Sequence, residues 1–248
     1  MFSIVTDTGA NLTAAQAQAL HVTVLPMQTD ADSTSQVNPF LAEETLRVLA
    51  EKEDVLYIGL SGALSGNYRQ MQAAAQRIRV LHTVQTVDSV SASCGEGMLV
   101  RMAARLRDNG RTASETRSVI EHSAPQVCHL FLVGDAARTV RSGRFDGGTD
   151  PSVVMMMDIA GKLVPCKKTA DRKAALRYIA QMYHRTALPT VRKICIAHAD
   201  AAAEAAFLAG EIGLDTEVET LDPLFVCHTG EGTVGLFYPG SLRTAPPI

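Results

Sequence analysis

Short runs of β-branched and other apolar residues alternate along this chain with stretches whose apolar positions recur every three to four residues. These two periods separate strands from helices. Phe2 to Thr6 reads as a strand, Thr13 to Leu20 as a helix, and Val22 to Leu25 as a second strand that Pro26 stops. Pro39 to Ala50 is helical in pattern. DVLYIGL (54–60) forms a third strand, and Leu64, Tyr68, Met71, Ala75 and Ile78 follow it at helical spacing. HTVQTV (82–87) gives a fourth strand, with helices expected over Ser93 to Arg107 and Ser114 to Ser123. This alternation predicts a parallel sheet covered on both faces, because each parallel crossover brings a helix onto a sheet face.

Pro125 breaks the rhythm. VCHLFLVG, SVVMMMDI and KLVPCKK read as strands with only a short helix between the first two. A long helix (Asp171 to Tyr183), the strand KICIAH, a helix from Ala201 to Ile212, and the strands DTEVETL and FVCH complete the chain. The pattern is that of a mixed sheet with helices. It divides the molecule into an α/β domain over residues 1–124 and a mixed α/β domain over 125–248. No internal repeat or low-complexity tract is visible.

Charge and composition narrow the function. The 248 residues carry a net charge of -3, which argues against the basic surface that nucleic-acid binding requires. No apolar run approaches the roughly 20 residues of a membrane helix. MFSIVTDTG runs straight into a strand without a basic segment or cleavage site, so no signal peptide is expected. Cys94, Cys128, Cys166, Cys195 and Cys227 are scattered and mostly in apolar surroundings, as reduced core thiols of a cytoplasmic protein would be. The seven histidines form no i, i+4 pair, there is no C-x-x-C and no Walker A frame, so no metal or nucleotide cofactor is expected.

The chemistry-bearing stretches are loops. GLSGALSGNY (59–68) leaves the third strand and opens a helix, where free backbone N–H groups and the helix dipole favour an anion. Gly62 lets backbone approach, and Ser61 and Ser65 add hydroxyls; a plain turn capped by Ser65 is the competing reading. TDTGANL (6–12) leaves the first strand similarly, and Asp7 there suits a cap or Asx-turn. STSQ (33–36) places Thr34 and Ser35 before the next helix. CHTGEGTVGLFYPG (227–240) holds a literal G-x-G-x-x-G, yet no long helix or distant acidic residue follows, so the dinucleotide reading is rejected. His228 and Thr229 remain as hydrogen-bond donors to an anion, against a structural histidine. Arg144 in VRSGRFDGG fits a carboxylate clamp or a solvated turn. Val153, Met155 and Met157 would share one strand face, suiting either an adaptable apolar binding wall or plain core.

Taken in order, IVTDTGANL, TSQ, ALSGNY, VDSVSASCGEGMLV, VRSGRFDGG, GKLVPCKKTADRKAAL and CHTGEGTVGLFY resemble the DegV family of bacterial fatty-acid-binding proteins across the whole chain. The resemblance implies a two-domain DegV-like α/β fold, its first sheet parallel and ordered 2-1-3-4. It implies a long-chain fatty acid between the domains as the ligand, with no other cofactor. The carboxylate would meet Thr34, Ser35, Ser61, Gly62, Ser65, Arg144, His228 and Thr229, and the tail would lie along Met155 and Met157. Several positions depart from the family pattern. Gly62 stands for the second serine of a Ser-Ser pair, Asn67 for a threonine, and Glu231 for a proline. The segment between Met27 and Ser33 is short. An arginine usual near Ala170 is absent, with Lys168 as its stand-in.

The resemblance also implies that the protein is no enzyme. It would be a cytoplasmic carrier presenting its ligand to a separate fatty acid kinase, without stable membrane insertion but with room for transient membrane contact during lipid exchange. The alternative is a stand-alone acyl-ester or acyl-phosphate hydrolase using Ser61 or Ser65, with His228 as base. A third reading, a dihydroxyacetone-kinase-like subunit, lacks its motifs here.

Overall fold

Four short strands, Phe2–Asp7 (β1), Val22–Leu25 (β2), Asp54–Gly59 (β3) and Val84–Asp88 (β4), pair in parallel in the order β2-β1-β3-β4. The computed structural model that shows this describes residues 1–29, 33–78, 82–145, 148–241 and 243. The central strands β1 and β3 are buried nearly throughout, while the edge strands β2 and β4 are buried only in part. That is the difference expected between strands covered on two faces and strands at a rim. The helices are Ala14–Ala19 (α1), Pro39–Ala50 (α2), Asn67–Arg77 (α3), Cys94–Asp108 (α4) and Ala113–Ser123 (α5). Capping boxes open α1 (Thr13 with Gln16) and α5 (Thr112 with Glu115), and Asn38 with Pro39 opens α2. Leu46, Leu56, Ile58, Met71, Leu99 and Ile120 are wholly buried. The strand order reverses between β1 and β3, so the loops at their carboxyl ends border the crevice where such sheets bind ligands.

Met1–Thr29 with Thr34–Ala124 form one compact unit, and the chain from Pro125 on belongs to a second. The second unit's sheet comprises Val127–Leu132 (β5), Val153–Met157 (β6), Leu163–Lys168 (β7), Ile194–His198 (β8), Thr216–Thr220 (β9) and Val234–Pro239 (β10). Their order is β7-β6-β5-β10-β8-β9, and only the β8–β9 pair is parallel. Ala136–Arg141 (α6), Arg172–Thr186 (α7), Ala202–Ile212 (α8) and Pro223–Thr229 (α9) are its helices.

Two expectations fail here. FVCH, expected as a strand, lies in α9. Pro223 supplies a helical φ at the first turn, and the Asp222 carboxylate accepts the Leu224 N–H at 2.8 Å. Conversely β10, read only as a glycine motif, is a central strand. Gly235 hides its alternation, and a Cβ there would stand 3.0 Å from the rings of Phe131 and Phe237.

Period-2 alternation sorts this sheet into two apolar faces. Leu130 pairs with Met156 and Leu236, and Leu236 with Ile196. This face joins Leu176, Ile179 and Ala180 of α7 and Ala205 and Leu208 of α8 in one core. Phe131 pairs with Met155 and Gly235, and Phe237 with His129 and Cys195. They line the opposite face, and all of these side chains are buried.

Candidate functional site

At the end of β1, Asp7 is a hub. Its carboxylate accepts from Tyr57 Oη at 2.5 Å, Asn67 Nδ2 at 2.7 Å, Gly9 N at 2.8 Å and Leu60 N at 3.4 Å. Burial pushes this carboxyl up from its ordinary value, and the four donors pull it back. Asp7 is therefore spent on the fold. Asn67 Oδ1 in turn accepts the Val37 N–H at 3.0 Å, and Gln70 Nε2 donates to the Val37 carbonyl at 2.5 Å. These bonds fasten the loop carrying Thr34 and Ser35 to the start of α3. Ser35 N also donates to the Gln28 carbonyl at 2.9 Å.

Ser61 is wholly buried at the end of β3. Its N–H donates to the Ser91 carbonyl at 2.9 Å, and its Oγ accepts the Ala63 N–H at 3.3 Å. The Gly62 N–H goes to both Asp88 oxygens at 3.2 and 3.1 Å, and a Cβ at 62 would sit 2.7 Å from Asp88 Oδ2. Asp88 thus explains the glycine in place of a second serine. Gly66, not Ser65, caps α3; Ser65 Oγ accepts the Asn67 N–H at 3.2 Å.

Two oxygens at the first turn of α4 escaped the sequence reading. Ser93 Oγ and Glu96 Oε2 are buried with no hydrogen-bond partner among the described residues. Glu96 Oε1 accepts from Thr6 Oγ1 at 3.0 Å. Burial, and then the neighbouring Asp7, raises the Glu96 carboxyl well above its ordinary range. The only signal was S-x-x-E at 93–96, a capping-box pattern that does not form.

In the second unit His228 sits in α9, with its Nδ1 3.3 Å from Arg144 Nη1. Burial, then the charges of Arg144 and Arg138, lowers His228 to about 4. A neutral imidazole beside a guanidinium accepts at Nδ1 and carries its proton on Nε2. Thr229 Oγ1 is given to the Phe225 carbonyl at 2.9 Å. Arg172, part of the basic stretch CKKTADRK but not singled out in it, donates to the carbonyls of Val133 and Gly232 at 2.9 and 2.5 Å and pairs with Glu204 at 2.6 Å. It holds together the loops on either side of Gly134, where a Cβ would overlap the Glu231 carbonyl. Lys168, read as the missing arginine's stand-in, is exposed and paired with Asp150 at 2.8 Å. Met155 and Met157 are both fully buried on the face carrying Phe131 and Phe237, whose rings meet edge-on at 5.5 Å. The short segment after Met27 falls partly on residues 30–32, and Asp146 and Gly147 of VRSGRFDGG likewise lie outside the described residues.

A family model for DegV, described as uncharacterised proteins, matches residues 28–240. The chain belongs to the DegV family. A DegV domain-containing protein of Clostridium perfringens is 29% identical over 228 residues, 85% of this chain and 78% of that one. DegV from Bacillus subtilis, described as a fatty acid binding protein, superimposes with a TM-score of 0.84 at 19% identity, covering 95% of this chain and 98% of that chain. A fatty acid binding DegV protein of Streptococcus agalactiae gives 0.86 at 22% identity, over 96% and 98%. A Ruminococcus gnavus relative solved with vaccenic acid gives 0.84 at 14% identity, over 95% and 99%. These likenesses establish the fold. No helix among the described residues is long and apolar enough to cross a membrane.

Proposed function

We propose that this DegV protein is a non-catalytic carrier of a long-chain fatty acid; relatives of the same fold are described as fatty acid binding proteins. The observation that carries the reading is the second apolar face of the six-stranded sheet. Met155, Met157, Phe131 and Phe237 make it apolar, unbranched or aromatic, and adaptable. A tail of ~15 methylenes gains on the order of 12 kcal/mol from leaving water, before ordering costs.

The head group needs donors. Thr34, Ser35, Ser61 and Ser65 of the first unit, and Arg144 and His228 of the second, are the side chains assigned to it. The Gly62 N–H and the Thr229 hydroxyl drop to a supporting part, since Asp88 and Phe225 already take them. The hydrolase alternative is weaker. The first unit's histidines, His21, His82 and His122, are exposed while Ser61 is wholly buried, and His228 is engaged with Arg144. In the finer reading, the carrier hands its carboxylate to a separate ATP-dependent fatty acid kinase in the cytoplasm.

Delipidated protein titrated with oleate should bind one equivalent, and it should not turn over p-nitrophenyl esters. Failure to bind sinks the carrier, whereas turnover lost in Ser61→Ala would favour the hydrolase. Affinity should change less than about threefold between pH 6 and 8, because His228 stays neutral across that window. A tenfold gain toward pH 6 would show that the imidazole acts as a cation. Adding a fatty acid kinase and ATP should convert bound oleate to acyl-phosphate faster than free oleate; equal rates refute presentation.

A further inference from the structure

Ser93 pays for its position twice over. Its backbone adopts φ 54° and ψ -140°, a conformation unfavourable for a residue with a side chain. Its hydroxyl is also buried with no partner among the described residues. A serine at a helix N-cap normally turns its oxygen onto the first-turn amides, but Ser93 makes no such bond. The turn therefore holds the hydroxyl away from the helix, at the positive end of a 15-residue dipole.

The fold places that turn at the strand-order reversal. The loop after β4 carries the first turn of α4 to the end of β1, where Glu96 bonds Thr6 and a Cβ at Gly97 would stand 2.5 Å from the Ala10 carbonyl. The loop before it is joined to the β3 crest by the Ser61 N–H on the Ser91 carbonyl, 2.9 Å. A strained strand-to-helix turn raising a serine above the carboxyl ends of a parallel sheet resembles the elbow that presents nucleophiles. The frame Ser91-Ala92-Ser93-Cys94-Gly95 has the small flanking residues such a turn needs.

We infer that Ser93 is a further head-group ligand, donating its hydroxyl hydrogen to a carboxylate oxygen of the bound fatty acid at the N-terminus of α4. Ser93 replaces the donor that Asp88 excludes at position 62. The inference rests on the carrier reading proposed above and adds to it a residue that discriminates an acid from its neutral esters. Glu96 Oε2, the second oxygen without a partner among the described residues, lies beside Gly9, and burial with the neighbouring Asp7 favours its neutral form, which adds no charge beside the anion.

The test compares delipidated wild type, Ser93→Ala and Ser93→Gly for oleate and methyl oleate affinity. Both variants lose the hydroxyl, while glycine also relieves the backbone, so Ser93→Gly should melt above Ser93→Ala. Oleate affinity should fall about tenfold or more in both, the usual loss of a hydrogen bond to a charged group. Methyl oleate affinity should move less than about threefold. If wild type binds oleate and both variants bind it within twofold of wild type, Ser93 is structural and the inference fails. An equal loss for the ester and the acid would likewise overturn it. If wild type itself binds no oleate, the carrier reading fails and takes this one with it.

Discussion

Asn67 is where the first unit's architecture can be tested with one substitution. Its amide donates to the Asp7 carboxylate at 2.7 Å and to Tyr57 Oη at 3.1 Å, and it accepts the Val37 N–H at 3.0 Å. The side chain is wholly buried. Asn67→Ala removes a charge-assisted bond, a loss of about 1.5–3 kcal/mol, and strands a backbone N–H, which costs about 1–3 kcal/mol more. Partial relaxation leaves about 3 kcal/mol as the expected loss. That is a large share of a typical domain's roughly 5–15 kcal/mol. Amide hydrogen exchange at Ile4, Val5 and Thr6 of β1 reads the first unit by itself, so unfolding of the second does not enter. A cycle with Asp7→Asn should show coupling of about 1 kcal/mol or more, since the two side chains touch. Exchange within roughly 0.5 kcal/mol of wild type, or additive losses in the cycle, would refute the hub.

The remaining predictions concern neighbouring groups. The folded pKa of Glu96 is raised, so the fold holds a proton that the unfolded chain releases above about pH 4.5. Its share of stability is therefore lost as pH rises from that value through the folded pKa. Glu96→Gln should flatten this slope and melt no lower than wild type at pH 8; a variant less stable by more than roughly 1 kcal/mol there would contradict a neutral Glu96. Gly62→Ser, which restores the family's second serine, should destabilise by about 1–3 kcal/mol because its Cβ meets Asp88, and should not tighten oleate binding. Tighter binding in calorimetry would show that position 62 does face the head group.

The parallel half was legible because its signals agree. Continuous apolar strands and helical periods agree on a parallel α/β unit, and the order β2-β1-β3-β4 is the one that the family resemblance implied. The second half was harder where local chemistry contradicts tertiary role. Gly235 removes one side chain from the alternation of β10 to make room for two rings, so a central strand looks like a glycine turn. FVCH has strand-forming residues, but Pro223 and Asp222 start a helix ahead of it. At the site, hydroxyl loops could be named from sequence because serine, threonine and glycine cluster at strand ends. The Asp7–Tyr57–Asn67 hub could not, since Tyr57 and Asn67 lie 50 and 60 positions from Asp7 and meet it only in the fold. Ser93 escaped for another reason: its capping-box spelling suggests a satisfied cap, and only the backbone angles show that it is not one.

The most direct test is native mass spectrometry of the chain purified from a bacterial host, beside Met155→Lys, which puts a charge on the buried apolar face. The account requires one fatty acid per wild-type chain, identified after release, and none on a variant whose circular dichroism shows it folded. A wild type carrying no lipid and taking up none, or a folded Met155→Lys variant loaded like wild type, would contradict it.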